Sequence, residues 1–223
     1  MIKHQIACRL KQWLPATALI LLTLSLVGCE GGGGGNPWDD HDFGANDRNV
    51  CVALGDSITT GCGLDNYAEC YIPKLAGMAQ KTIINKAIAG SETSTGVDLV
   101  HPVLDNYRPG FLLILYGVND LIMGYDETAA LNNLRTMIQA AKDNKTVPII
   151  ATLTPVTGGY IGLVSGIERL NAGIRQIAAE ENVSVVDLDE AMNWDPAYLQ
   201  TDGLHPNPAG HDVMAATFYD VLQ

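Results

Sequence analysis

The chain contains the three residue types that hydrolysis through a covalent acyl intermediate requires. A serine hydroxyl becomes a nucleophile when a base accepts its proton, and a neutral imidazole does this near neutral pH. Ser57 and His205 are candidates for these two roles. A carboxylate three residues before a histidine in a tight loop can hold the imidazole in the required tautomer, and Asp202 stands at that spacing from His205.

The oxyanion that forms during acyl transfer needs fixed hydrogen-bond donors. The backbone N–H groups of Ser57 and Gly90, together with the side-chain amide of Asn119, could supply three of them. No metal or organic cofactor is needed for this chemistry.

Each of these residues also has an ordinary interpretation when taken alone. Gly, Asp and Ser are turn residues, so Ser57 in GDSI could close a buried strand, and Asn119 or Asp202 could be a turn or cap residue. Gly90 could be a loop glycine, and His205, between Leu204 and Pro206, could be a surface histidine. The joint chemistry of the set favours a catalytic site.

Short apolar runs rich in β-formers alternate with longer segments at helical spacing from Asn49 onward. Near-continuous apolar runs are typical of strands buried on both faces of a parallel sheet. The predicted strands are residues 49–55, 82–88, 111–117, 147–154 and 183–189. Because ligands bind outside the carboxyl ends of such strands, the polar residues that follow them are expected on one rim.

Three helices are predicted between and after these strands. Apolar residues recur at steps of three and four over residues 127–144 and 162–182. Asn207 and Pro208 form an N-cap and first-turn pair that opens a final helix. Strands alternating with helices predict one three-layer α/β domain over residues 49–223.

Four blocks of this domain resemble the GDSL esterases and lipases, also called SGNH hydrolases. They are Gly55-Asp56-Ser57-Ile58, Gly90, Gly117-Val118-Asn119-Asp120 and Asp202-Gly203-Leu204-His205, in that order. The resemblance implies that Ser57 is the nucleophile, His205 the base and Asp202 its partner, with Gly90 and Asn119 as oxyanion donors beside the Ser57 amide. It also implies a flavodoxin-like sheet with strand order 2-1-3-4-5.

Two departures and two rival folds bear on this resemblance. Ile58 replaces the leucine that names the family, and NKAIAGSET resembles both the lipase and the carbohydrate acetylesterase versions of the second block. Thr59 occupies the second glycine position of the α/β-hydrolase elbow, which disfavours that fold. GDSITTG lacks the lysine of a phosphate-binding P-loop, which disfavours a nucleotide-binding site in this loop.

We therefore expect a serine esterase that hydrolyses carboxylic esters through an acyl-serine intermediate, acting on a small-molecule, lipid or glycan ester. One alternative is an O-acetyl esterase acting on a polysaccharide. An alternative of another class is a non-catalytic lipoprotein that binds a glycan or a partner. The formal charge of −12 gives no support to nucleic-acid binding, and we expect a monomer.

The first 28 residues have the features of a secretory signal. Three basic residues precede an apolar run from Trp13 to Val27, which is shorter than a bilayer span and contains Pro15. Leu26-Val27-Gly28-Cys29 resembles the lipobox of bacterial lipoproteins, which implies that Cys29 is acylated. We expect an exported protein anchored to a membrane by this lipid.

Residues 29–48 are predicted to be a flexible tether, because five consecutive glycines and several acidic residues leave little apolar surface to bury. Its cluster of Asp39, Asp40, His41 and Asp42 is interpreted as a solvated acidic linker rather than a metal site.

Three cysteines remain in the predicted domain once Cys8 and Cys29 are assigned to the signal and the anchor. Exported proteins are exposed to oxidising conditions. Cys62 and Cys70 flank one loop and are predicted to form a disulfide, whereas Cys51 in the first strand is expected to pack as a small hydrophobe.

Overall fold

The structure is a computed structural model that describes residues 37–223. The predicted signal peptide of residues 1–28, the expected lipidation site Cys29 and residues 30–36 of the predicted tether lie outside the described residues. Within residues 37–223, every helix is too short or too polar to cross a lipid bilayer.

Five parallel strands form one sheet in the order β2-β1-β3-β4-β5. Every residue of β3 and β4 is buried, because helices cover both faces of the sheet. The predicted α/β class and the strand order 2-1-3-4-5 are confirmed. The strands are β1 Asp47–Gly55, β2 Thr82–Asn85, β3 Pro109–Leu115, β4 Val147–Ala151 and β5 Ser184–Val186.

Eight α-helices surround the sheet in the described part of the chain. Helices α2 and α8 pack against each other on one face, and α3, α5 and α6 form the layer on the other. They are α1 Ser57–Thr60, α2 Tyr71–Ala79, α3 Thr93–Tyr107, α4 Val118–Met123, α5 Glu127–Asp143, α6 Val164–Glu181, α7 Leu188–Met192 and α8 Pro208–Leu222.

Local side-chain hydrogen bonds end two strands earlier than their apolar runs suggest. Asn85 accepts a hydrogen bond from the Ala87 N–H and ends β2, which was predicted to reach Ile88. Asp187 accepts from the Glu190 N–H and caps α7, so β5 stops at Val186 instead of continuing to Asp189.

Residues 37–48 pack against the domain, so the prediction of a flexible tether is wrong for this part of residues 29–48. The rings of Trp38 and Phe43 lie 5.9 and 5.5 Å from the ring of Phe111, centroid to centroid. The side-chain amide of Asn46 donates to the Asn144 carbonyl at 2.7 Å, and β1 already begins at Asp47. Two aromatic side chains supply the apolar surface that the Gly- and Asp-rich composition obscures.

The predicted disulfide between Cys62 and Cys70 is wrong, because both thiols are free in the structure. The Cys70 side chain is buried at the start of α2 and its thiol donates to the Thr59 carbonyl at 3.7 Å, whereas Cys62 is exposed. Cys51 is fully buried in β1, and burial raises the pKa of its thiol to about 12. Cys51 therefore packs as the small hydrophobe that the sequence predicts.

Candidate active site

Ser57 stands at the point where the first strand ends and a short helix begins. β1 ends at Gly55, where an added Cβ would lie 2.9 Å from the Leu115 carbonyl oxygen, so no larger residue fits. Asp56 caps α1 by accepting a hydrogen bond from the Ile58 N–H at 2.9 Å. This sharp turn holds the largely buried Ser57 at the carboxyl edge of the sheet.

The segment that carries Asp202 and His205 is a tight loop before α8. The Gln200 N–H donates to the His205 carbonyl at 2.8 Å and closes the loop. Gly203 has a φ of +76°, and an added Cβ would lie 2.5 Å from the Thr157 carbonyl oxygen, so glycine is required there. Asp202 also accepts hydrogen bonds from the N–H groups of Leu204 and His205.

Ser57, His205 and Asp202 form one line of hydrogen bonds. His205 Nε2 lies 2.9 Å from Ser57 Oγ, and His205 Nδ1 lies 2.6 Å from Asp202 Oδ2. An ionised carboxylate can only accept, so Nδ1 carries the proton in the neutral imidazole and Nε2 is left to accept from the serine hydroxyl. The side chains that the sequence singles out are thus in contact.

The carboxylate of Asp202 stays ionised near neutral pH. Partial burial acts to raise its pKa, but hydrogen bonds from the His205 ring and from the Leu204 and His205 N–H groups outweigh burial and hold the pKa of Asp202 below its ordinary value.

Asn119 and Gly90 reach the same edge from two other strands. Asn119 lies in the first turn of α4, after β3, and its side-chain amide donates to the Ser91 carbonyl at 2.9 Å and to Asp56 Oδ2 at 3.3 Å. Gly90, next to Ser91, is exposed in the loop after β2 with a φ of +77°. The structure therefore brings all five predicted site residues to one rim.

A buried carboxylate joins the segments that carry Gly90 and Asn119. Asp120 accepts from the Thr93 N–H at 3.0 Å and from the Thr93 hydroxyl at 2.6 Å, and the Asn133 amide donates to the same hydroxyl at 2.9 Å. The loop that contains Gly90 is thereby fixed to the segment that contains Asn119. The sequence places Asp120 and Thr93 at this edge but gives no signal of their contact.

Most of the exposed large apolar side chains lie in segments at the same edge of the sheet as the site. Seven large apolar side chains of residues 37–223 are exposed, and only Met78 of these lies away from the loops that follow strands β1 to β4. We call the other six the apolar rim: Tyr67, Ile88, Ile122, Met123, Tyr125 and Ile161.

A groove of about 240 Å³ lies on the same side of the molecule, beside α4, with Leu121, Tyr125 and Leu163 among its walls. A larger cavity of about 560 Å³, lined by Trp38 and His41, lies at the amino ends of β4 and β5. Because it is at the opposite edge of the sheet from Ser57, we do not assign the chemistry to it.

The fold and the site together define an α/β/α hydrolase of ester bonds. The chain belongs to the GDSL-like lipase/acylhydrolase family, whose model matches residues 53–213. This membership removes the support for a non-catalytic binding lipoprotein.

The chain is similar to two esterase relatives and to a solved esterase structure. The chain is 28% identical to an arylesterase of Vibrio mimicus, over 74% of this chain and 83% of the relative. It is 24% identical to thioesterase 1/protease 1/lysophospholipase L1 of Escherichia coli K12, over 81% and 86%. A solved catalytic mutant of an acetylxylan esterase from Geobacillus stearothermophilus matches with a TM-score of 0.69 at 21% identity, over 79% and 95% of the two chains.

Proposed function

We propose that the protein is a serine esterase in which Ser57 is the nucleophile, His205 the general base and Asp202 the residue that orients the imidazole. The observation that carries the proposal is the 2.9 Å separation of Ser57 Oγ and His205 Nε2, within reach for direct proton transfer. The ionised Asp202 on the other ring nitrogen supports the tautomer that this transfer needs.

The reaction has two halves. In the first, His205 accepts the Ser57 proton while Oγ attacks the ester carbonyl; the tetrahedral intermediate collapses, the C–O bond to the alcohol breaks, and His205 returns its proton to the leaving alkoxide. In the second, His205 takes a proton from water, hydroxide attacks the acyl-serine, and collapse releases the carboxylic acid as Ser57 regains its proton.

The oxyanion of both tetrahedral intermediates needs donors that are already in place. We assign this role to the N–H groups of Ser57 and Gly90 and to the side-chain amide of Asn119. Deleting one such donor typically raises the barrier by about 3–4 kcal/mol.

We further assign an ester with an apolar acyl part as the substrate. The apolar rim supports this assignment, because an apolar acyl chain that packs against exposed apolar side chains removes apolar surface from water, which favours binding. A second candidate is an O-acetyl esterase of a polysaccharide, which the likeness to an acetylxylan esterase supports.

An activity assay with p-nitrophenyl esters from acetyl to octanoyl tests both the mechanism and the substrate class. We expect Ser57→Ala and His205→Ala to abolish turnover, and a fluorophosphonate probe to label Ser57 in the wild type. Ser94→Ala, at an exposed serine in α3, is the matched control and keeps full activity. Undiminished turnover in Ser57→Ala would refute the mechanism, and a sharp preference for acetyl would favour the polysaccharide substrate.

We also propose that the enzyme is an exported lipoprotein acylated at Cys29. The basic residues before an apolar run that ends in Leu-Val-Gly-Cys support this proposal. Labelling of a bacterial expression host with an alkyne fatty acid should tag the wild type and Cys62→Ser but not Cys29→Ser. Equal labelling of Cys29→Ser would exclude this anchor.

A further inference from the structure

One buried carboxyl group links the turn that holds the proposed nucleophile to a donor in helix α4. Asp56 Oδ1 accepts from the Ile58 N–H in the turn that positions Ser57, and Asp56 Oδ2 accepts from Asn119 Nδ2 at 3.3 Å. Asp56 is only 1% exposed, so water does not replace either partner. The side chain therefore spans two segments that are 63 residues apart in the sequence.

Both hydrogens of the Asn119 amide have protein acceptors. An amide nitrogen carries two N–H groups, and in Asn119 one donates to the Ser91 carbonyl at 2.9 Å while the other donates to Asp56. The bond to Asp56 is the longer of the two and hence the weaker. An oxyanion can therefore share the hydrogen of this longer bond, while the shorter bond to Ser91 keeps the amide in place.

The buried surroundings of Asp56 destabilise the ionised form of its carboxyl group. Burial raises the pKa of Asp56 to about 7, against the hydrogen bond from the Ile58 N–H. The titratable groups that face it are His205 from the catalytic loop, Asp120 from α4 and the hydroxyls of Tyr71 and Tyr116. A buried carboxyl group with a strongly raised pKa beside a proposed nucleophile is typical of functional sites.

We propose that Asp56 is a positioning residue that sets the orientation of the Asn119 amide relative to Ser57, so that one amide hydrogen is directed at the oxyanion. Asp56 itself does not touch the substrate; it acts through Asn119. This inference rests on the proposed serine-esterase function and adds a residue for which the sequence suggests no role beyond that of a turn.

Two substitutions separate the hydrogen bond to Asn119 from the cap of α1. Asn and Ser are both good N-cap residues, so Asp56→Asn and Asp56→Ser can keep the bond to the Ile58 N–H. In Asp56→Asn, the side-chain oxygen accepts from the Ile58 N–H, so the side chain presents its NH₂ group, which is a donor, to the amide of Asn119. In Asp56→Ser, the side chain is too short to reach that amide. Asp56→Asn also preserves the shape of the side chain, so a purely packing role predicts no effect.

We expect each variant to lower kcat by about 10- to 100-fold, because the donor is misoriented in the transition state but not deleted. KM for p-nitrophenyl butyrate should change by less than about twofold, since an interaction made only in the transition state affects kcat and kcat/KM equally. Asp126→Ser is the matched control: Asp126 caps α5 by accepting from the N–H two residues later, that of Thr128, at 3.0 Å, as Asp56 does in α1, and we expect its kcat to be unchanged.

A double-mutant cycle with Asn119→Ala tests the route of the effect. If Asp56 acts through Asn119, Asp56→Ser lowers kcat in the wild type but has little further effect in the Asn119→Ala background. Circular dichroism and thermal unfolding verify that each variant is folded.

Two results would overturn the inference: wild-type kcat in both Asp56 variants, or full additivity of Asp56→Ser with Asn119→Ala. Inactivity of the wild type, or undiminished turnover in Ser57→Ala, would instead refute the proposed function. The two failures are therefore distinguishable.

Discussion

Nδ1 of His205 lies 2.6 Å from Oδ2 of Asp202, three residues earlier in the same loop, and Asp202 has 42% of its side chain exposed. An Asn at this position offers an N–H as well as an oxygen and can hold the imidazole in the wrong tautomer, with the proton on Nε2. We therefore predict that Asp202→Asn lowers kcat by about 10³- to 10⁴-fold.

Asp202→Ala should be no more damaging than Asp202→Asn, because water can reach the exposed position and accept from Nδ1. Steady-state kinetics with p-nitrophenyl butyrate compares the two variants. Asp202→Asn activity within threefold of wild type would exclude an orienting role for this carboxylate.

Gly90 and Gly124 form a matched pair for testing the oxyanion site. Both have positive φ, +77° and +72°, and an added Cβ meets no atom within 4 Å at either position. An alanine therefore costs the same backbone strain in both places, on the order of 1 kcal/mol. We predict that Gly90→Ala lowers kcat at least about tenfold, because the strain displaces a donor N–H, while Gly124→Ala keeps wild-type kcat.

Thermal unfolding gives the strain in each glycine variant, and ester turnover gives the effect on the site. Equal loss of kcat in Gly90→Ala and Gly124→Ala would mean that backbone strain alone, and not a donor at Gly90, explains the result.

The apolar rim predicts a dependence on acyl length that one substitution can reveal. Ile161 has 64% of its surface exposed in the loop after β4, whereas Met78, 42% exposed, lies on α2 away from the rim. We predict that Ile161→Ser raises KM for octanoyl esters several-fold and leaves KM for acetyl esters unchanged, because only the longer chain covers the rim.

Met78→Ser removes a comparable exposed apolar side chain and should change neither KM. The measurement is KM for p-nitrophenyl acetate and octanoate in all three proteins. A parallel rise for both esters in Ile161→Ser would indicate a distorted site and not a lost acyl contact.

The sheet and the line of three polar side chains could be predicted from the sequence because both depend on local patterns. Continuous apolar runs such as FLLIL indicate buried strands, and the residues after strand ends must meet at one edge of a parallel sheet. The hydrogen bonds of His205 with Ser57 and Asp202 follow from that placement.

Contacts that depend on side-chain direction could not be predicted in the same way. Cys62 and Cys70 are close in sequence, but one thiol is exposed and the other is directed into the core. Trp38 and Phe43 pack on Phe111, which is more than 60 residues away, so the composition of their own segment gave no signal. The bond between Asp56 and Asn119 likewise joins distant segments.

Two buried titratable groups should give opposite pH dependences of stability. Burial raises the pKa of Asp56 to about 7 and lowers the pKa of His211 to about 4, the latter with help from the charge of Lys74. In the unfolded chain these groups have pKa values of about 3.9 and 6.5.

From pH 4 to 6.5 the folded state holds the Asp56 proton that the unfolded state loses, so this group makes stability fall as pH rises. His211 is neutral in the folded state and protonated in the unfolded state over the same range, so it makes stability rise with pH. Each contribution reaches about 3 kcal/mol, and in the wild type the two nearly cancel.

Replacing one group at a time should therefore expose the other. Relative to wild type, Asp56→Asn should gain stability as pH rises from 4 to 6.5, and His211→Asn should lose stability over the same range. In His211→Asn the side-chain oxygen can still accept from the Tyr71 N–H, as His211 Nδ1 does at 3.3 Å. The double variant should again follow the wild-type pH dependence. Urea unfolding at pH 4.5, 5.5 and 6.5 gives these free energies of unfolding, and parallel slopes in all four proteins would show that neither group is titrated differently by folding.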